Sequence, residues 1–156
     1  MIAHNAKAFD FHFILNRAIL LKWLEKLIMN GLNIMCIRVE DLVFLDSVSF
    51  IPFALLKPPE AFGLTVAKSW YLHYINTRAN LDYVGKIPDI TYDVDEISAS
   101  EGNEFLAWYE CQKDEVFDNR RVLGSYCLDD VCVLREACRV LRRDFIQIGN
   151  IDVFLE

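Results

Sequence analysis

A tyrosine and an aspartate, Tyr126 and Asp130, lie one helical turn apart in the last third of the sequence. Both fall in an apolar series at helical spacing, where a carboxylate is costly unless it is paired, hydrogen-bonded or metal-bound. A phenol and a carboxylate on one helix face suit metal-assisted hydrolysis. If the helix is rotated slightly, Asp130 instead lies at the edge of the apolar face and is solvated. Spacing alone does not decide between these two interpretations. The predicted inward series is Leu123, Tyr126, Cys127, Asp130, Leu134, Ala137, Leu141 and Phe145.

A second acid, Asp10, directly follows Phe9 at the predicted start of the first helix. A carboxylate at this position interacts favourably with the helix dipole. Capping alone therefore explains Asp10, and a chemical role needs support from the surrounding residues.

The elements that would position these acids form an α/β pattern. A helix is predicted from Phe9 to about Trp23. The dipeptide Asn30-Gly31 reads either as a helix C-cap or as a hairpin turn, and its β-rich flanks favour the hairpin. Strands are expected near residues 26–29, 32–39 and 42–46. Because a helix begins so close to residue 1, the pattern resembles an α/β sheet that lacks its first strands.

The second half of the sequence is predicted to be mainly helical. A short helix is expected around Pro59 to Phe62, followed by an extended loop insertion over about residues 69–97. Ser98 and Glu101 form a possible capping box. The helices are expected over about 100–116 and 119–147, the second capped by Asp118.

Composition narrows the class of protein. A length of 156 residues favours one domain, and a net charge of −7 argues against a freestanding nonspecific nucleic-acid binder. The longest apolar stretch is broken by charges, so we expect no membrane span, and no signal peptide is visible. None of the five cysteines has metal-site spacing. Their odd number suggests reduced thiols and an intracellular setting, cytoplasmic or nuclear.

Several segments together resemble family B DNA polymerases. The segment from Asn5 to Asp10 resembles the second exonuclease motif, an Asn followed by Phe/Tyr-Asp, and Tyr126 to Asp130 resembles the third, Tyr-x-x-x-Asp. Two segments between them, Asp46 to Phe53 and Phe62 to Lys68, resemble the protein-primed branch found in phages, linear plasmids, viruses and transposons. The segment from Asn103 to Asp118 is typical of its transposon and viral members.

The resemblance implies a ribonuclease H-like 3′–5′ exonuclease domain. That chemistry uses four carboxylates to hold two Mg²⁺ or Mn²⁺ ions, which activate water and stabilise the leaving oxygen. Asp10 and Asp130 would supply two of the four carboxylates. Tyr126 would orient the attacking water, and Lys68 would offset charge near the scissile phosphate.

The same resemblance implies contacts to single-stranded DNA. Asn5 and Phe9 would touch the 3′-terminal nucleotides, with Phe9 packing against a base or sugar. Ser47-Val48 would match a Ser/Thr-Leu single-strand contact motif, with Val in place of Leu. The implied partners are a single-stranded 3′ end, the remainder of the polymerase chain and a terminal priming protein, with no membrane.

One expected motif, Asp-x-Glu, occurs nowhere in the sequence; the closest string is Asp93-Val94-Asp95. We therefore expect a partial exonuclease domain, a fragment of a DNA-directed DNA polymerase. Alone it should have negligible exonuclease activity and no polymerase activity. The alternative is a non-catalytic single-stranded DNA or protein-binding module derived from this fold. In an unrelated α/β interaction protein, Asp10 and Asp130 would lie far apart.

Overall fold

The computed structural model describes residues 1–55, 57–66, 68–90 and 99–154, with only the backbone of residues 99–101. The chain forms two compact units. The first comprises Met1–Val66 and Val133–Glu156, and the second comprises Ala67–Cys132.

The first unit contains a four-stranded mixed sheet. Its strands are β1 (Ile2–Ala3), β2 (Leu24–Asn30), β3 (Asn33–Val39) and β4 (Leu42–Asp46), in the order β1-β4-β3-β2. Strand β1 is parallel to β4, and the other neighbours are antiparallel. The α/β class and the three consecutive strands are confirmed. Strand β1 was not predicted, because two residues carry no periodicity.

Two tight turns connect β2, β3 and β4. Asn30 pairs with Asn33, so the first loop is Gly31-Leu32, one residue later than predicted. Gly31 has a φ of 59°, the sign that primed hairpin turns need at their first loop residue. The second loop starts at Glu40, which also has a positive φ, of 50°. The hairpin reading of this region is confirmed and the C-cap reading is wrong.

Helix α1 (Asp10–Leu20) packs on one face of the sheet. Phe11 and Ala18 are buried with Ile34 and Ile37 of β3 in one apolar cluster. This burial, rather than capping, holds the helix, because no side chain caps its first turn. The helix is shorter than predicted, since the chain turns before Trp23 to enter β2.

The first unit has a second apolar cluster beside the short helix α2 (Pro58–Phe62). Ile51 is buried there with Ala137 and Cys138 of the long helix α4 (Asn119–Gly149), which contributes to both units. Leu134 and Leu141 pack on this cluster, as their spacing predicts. Phe145 lies beyond its end and is exposed, which corrects the predicted inward series.

The second unit is built around buried aromatic residues. Helix α3 (Ala99–Gln112) supplies Phe105 and Tyr109, and two short antiparallel strands, β5 (Val84–Gly85) and β6 (Phe117–Asp118), close the unit. Helix α3 ends four residues earlier than predicted because the chain must turn to pair Phe117 with Gly85. The predicted Ser98–Glu101 capping box lies outside the described residues.

Asn119 fixes the start of α4. Its buried side chain accepts a hydrogen bond from the Tyr71 hydroxyl and donates one to the Asn80 carbonyl, each 2.8 Å long. Asp118 caps the helix, as predicted, by accepting a bond from the Arg121 amide.

Further along α4, Leu123 and Tyr126 pack on the aromatic cluster. Cys127 points away from it and is exposed, a second correction to the inward series.

Within the described ranges, no helix has both the length and the hydropathy needed to cross a bilayer. Residues 69–90, the described part of the predicted loop insertion, contain a 3₁₀ turn at His73–Ile75 and strand β5. The insertion itself stays a prediction.

Candidate functional site

Three of the predicted site residues meet in the second unit. The Lys68 Nζ atom lies 3.4 Å from Asp130 Oδ1 and 5.0 Å from the centroid of the Tyr126 ring. Tyr126 and Asp130 share one face of α4, as their spacing predicts, and Lys68 reaches them from a segment far earlier in the sequence. We call these three residues the Lys68 cluster.

The Lys68 cluster is largely withdrawn from solvent. The side chains of Lys68 and Asp130 are each 24% exposed. Asp130 Oδ1 is buried and has no hydrogen-bond partner among the described residues. A buried carboxylate oxygen without a donor is costly, so the Lys68 ammonium is the group that offsets its charge. Asp130 is thus neither fully buried nor a freely solvated rim residue.

The cluster shifts the acidities of two of its members. Burial opposes the charge of Lys68, but the Tyr126 hydroxyl and the Asp130 carboxylate outweigh it, and the pKa of Lys68 is raised above its ordinary value. Burial also raises the pKa of Tyr126, although Lys68 acts in the opposite direction. At neutral pH the cluster therefore holds a fixed ammonium beside a protonated phenol.

The Tyr126 ring is supported from the side. Its centroid lies 5.6 Å from that of Tyr71 and 5.3 Å from that of His73, the latter edge-on. Tyr71 is itself buried and bonded to Asn119. Aromatic contacts of this kind are favourable beyond their area of burial, so they fix the phenol against Lys68.

The other predicted contact residues of the N-terminal motif lie in the first unit. Asp10 is the exposed first residue of α1. Phe9 is 65% exposed, with its ring edge-on to Phe13 at 4.8 Å. Asn5 is exposed and left-handed, with a φ of 60°. Asp10 and Asp130 belong to different units, and their convergence on one site stays a prediction.

The remaining predicted contacts, Ser47 and Val48, follow β4 directly. Ser47 is fully buried, and its hydroxyl is 2.9 Å from Nδ1 of His4. Val48 is half-buried. Of this pair, Val48 is therefore the residue with side-chain surface to offer a ligand.

Asp46 has a structural role that its place in the sequence did not predict. Its buried carboxylate accepts hydrogen bonds from the backbone amides of Asn5, Lys7 and Val48 at 3.0, 2.8 and 2.9 Å. It thereby ties the segment before α1 to the end of β4. The available signal was an acid at the end of a predicted strand and directly before Ser47, where such side chains cap local turns.

The side chains around Asp130 can be compared with those that the predicted metal ions would need. Asp130 Oδ1 lacks a hydrogen bond, as a metal ligand would, but its nearest charge is an ammonium. In the part of the chain that the structure describes, no three His, Cys, Asp or Glu side chains are grouped to hold a metal. The described residues therefore do not fit a complete metal centre by themselves.

The structure thus defines an α/β protein with a partly buried lysine–tyrosine–aspartate cluster. It belongs to the family described as DNA polymerase type B, organellar and viral, whose model matches residues 1–154. A curated relative, "Probable DNA polymerase" from Agaricus bitorquis, is 29% identical over 100 residues. The match covers 60% of this chain and 12% of that relative. No solved structure matches the chain significantly.

Proposed function

We propose that this chain is the 3′–5′ proofreading exonuclease region of a protein-primed DNA polymerase, with a ribonuclease H-like fold. The observation that carries the proposal is the Lys68 cluster. It brings Tyr126 and Asp130, from the segment that resembles the third exonuclease motif, together with Lys68, the last residue of a segment that resembles the protein-primed branch. Membership of the polymerase family supports it.

The roles follow from the properties of each side chain. The raised pKa of Lys68 keeps it charged at neutral pH, so it can stabilise negative charge on a scissile phosphate. The Tyr126 hydroxyl stays protonated and can orient the attacking water by donating or accepting a hydrogen bond. Asn5 and Phe9 expose an amide and a ring for the terminal nucleotides.

Two Mg²⁺ or Mn²⁺ ions would supply the activated water and the stabilised leaving oxygen in such a reaction. Asp10 and Asp130 would be two of their carboxylate ligands. Two carboxylates offset little of the repulsion between two divalent ions. The polypeptide of 156 residues is therefore expected to show negligible exonuclease activity on its own.

Photo-crosslinking tests the proposed site without needing catalysis. A single strand with a photoreactive 3′-terminal nucleotide should label peptides that contain residues 5–10 and 126–130. Lys68→Met should reduce the second label severalfold. Lys113→Met removes an exposed lysine of the same unit, paired with Glu110, and should leave it unchanged. The proposed site is contradicted if an internal photoreactive nucleotide labels the same peptides as strongly as the 3′-terminal one and Lys68→Met does not change the labelling.

A nuclease assay separates the active and inactive forms of the proposal. With Mn²⁺ and a 3′-labelled strand, we expect no release of nucleotide above background. Robust digestion that Asp130→Asn abolishes would refute the expected inactivity while supporting the exonuclease site. Binding of the strand that persists with a chelator and weakens as salt rises would instead support a non-catalytic single-strand binding module. The Lys68–Asp130 ion pair favours this alternative, because an ammonium rather than a metal ion offsets the charge of the carboxylate.

A further inference from the structure

A polar cavity lies beside the Lys68 cluster, within the second unit. Its volume is about 240 Å³, and its lining includes Ser69, Trp70, Trp108, Gln112, Glu115, Arg121 and Ser125. Ser69 directly follows Lys68 in the chain. Ser125, on the opposite wall, directly precedes Tyr126, so two lining residues are chain neighbours of the Lys68 cluster.

Two indoles give the cavity rigid aromatic walls. The rings of Trp70 and Trp108 have their centroids 5.6 and 5.7 Å from that of the buried Phe105. Because both rings rest on one buried side chain, their positions are set before any ligand arrives. Pre-set aromatic surfaces favour a flat partner, since less conformational freedom is lost on binding.

The polar lining has unused hydrogen-bonding capacity. The Ser69 hydroxyl is buried without a hydrogen-bond partner among the described residues. The Arg121 guanidinium makes a long bond of 3.5 Å to the Val116 carbonyl. Glu115 also lines the cavity, but no ion pair of Arg121 with it or with another carboxylate is present among the described residues. A guanidinium has five donors, so most of this group's capacity is open to an anion.

We propose that this cavity, the Trp70–Trp108 cavity, binds a nucleotide of the single strand, taking its base against the indoles and its phosphate at Arg121. Ser69, Gln112 and Ser125 supply both donors and acceptors for the edge of the base. The inference rests on the proposed function for its physiological ligand, because it places a nucleotide next to Lys68. The binding chemistry itself depends only on the cavity.

The three tryptophans of the chain provide an internal control, because Trp23 lies in the first unit. The probe is deoxyadenosine monophosphate, added without metal to the ¹⁵N-labelled chain. The indole N–H signals of Trp70 and Trp108 should shift saturably, and that of Trp23 should not. Deoxyribose 5-phosphate, which lacks the base, should bind at least about tenfold more weakly, since stacking on an aromatic ring contributes that much or more.

Variants assign the binding to this cavity. Trp108→Leu and Arg121→Gln should each weaken nucleotide binding by about tenfold. Arg120→Gln is the matched control, since Arg120 is exposed and paired with Asp82. Ser69→Ala, a small change that preserves folding, should weaken binding about threefold. Should Trp108→Leu unfold, Arg121→Gln and Ser69→Ala still decide the question.

The outcomes distinguish this inference from the proposed function. If the strand end labels residues 5–10 and 126–130 but the nucleotide leaves both indole signals unmoved, the cavity proposal is wrong and the exonuclease proposal stands. Equal binding of the base-free sugar phosphate also overturns it. Indole shifts without any 3′-end labelling would support the cavity and overturn the exonuclease site. Preferential capture of a peptide over the nucleotide would assign the cavity to a protein partner and refute our inference.

Discussion

Replacing Asp46 should destabilise the first unit more than any surface substitution. The carboxylate is buried and is the shared acceptor for three backbone amides, of Asn5, Lys7 and Val48. In Asp46→Ala all three donors lose their acceptor at once. The segment that leads into α1 then loses its attachment to the end of β4.

The magnitude follows from the number of bonds. Each donor left unsatisfied costs about 1–3 kcal/mol, and water entering the vacated space recovers part of this. We therefore expect Asp46→Ala to lower the free energy of unfolding by about 3–5 kcal/mol. In Asp46→Asn the amide oxygen can replace Oδ1, which serves Asn5 and Val48, while the NH₂ group faces the Lys7 donor. Its expected cost is smaller, about 2 kcal/mol.

Urea unfolding followed by circular dichroism measures this series. A loss of 3–5 kcal/mol moves the midpoint of the affected transition by about 2 M. Asp41→Ala, an exposed acid in the turn before β4, is the control and should change stability by less than about 0.5 kcal/mol. If Asp46→Ala unfolds at the same urea concentration as Asp41→Ala, the carboxylate does not anchor the N-terminal segment and the reasoning is wrong.

Three further predictions concern acidity and capping. The pKa values of Lys68 and Tyr126 are both raised by folding. Each group therefore stabilises the folded protein fully below its ordinary pKa, 10.5 for Lys68 and 10.0 for Tyr126, and this stabilisation is lost as the pH rises through the raised pKa. Lys68→Met should raise the pKa of Tyr126 further, which absorbance titration against Tyr126→Phe measures; a fall would contradict the geometry. Burial raises the pKa of Cys138 to about 11, so alkylation at about pH 8 should modify exposed Cys111 and spare Cys138 by mass spectrometry. Asp118→Ala removes the cap of α4 and should lower the free energy of unfolding, measured with urea, by about 1 kcal/mol. An unchanged free energy of unfolding would argue against that cap.

Much of the fold could be predicted from local patterns. The hairpin strands and the long helix α4 carry strong periodicity, and their existence is confirmed although their ends shift by a few residues. Strand β1 could not be predicted, because its pairing with β4 is a long-range contact of only two residues. The exposure of Cys127 and Phe145 could not be predicted either. Helical spacing fixes neither the edge of the helix face that contacts the core, which decides Cys127, nor the point where the helix extends past its core, which decides Phe145.

The candidate site shows the same division. The pairing of Tyr126 with Asp130 follows from helix geometry, and Lys68 was found through a motif rather than through any local pattern. Asp46 went unnoticed because its partners are backbone amides distant in sequence, which no side-chain motif encodes. The Trp70–Trp108 cavity could not be predicted either, since the two tryptophans are distant in sequence and are brought together by their contacts with Phe105.

The hydrogen bonds of Asn119 limit how far the second unit can be shortened by design. Its side chain joins the first residue of α4 to Tyr71 and to the Asn80 carbonyl, and its amide bonds to the Tyr83 carbonyl. A minimal version that excised residues 69–90 would strip this asparagine of every one of those partners and would also remove the ring that supports Tyr126. The irregular segment is therefore part of the scaffold of the site, and a graft of the Lys68 cluster onto another protein would have to carry it along.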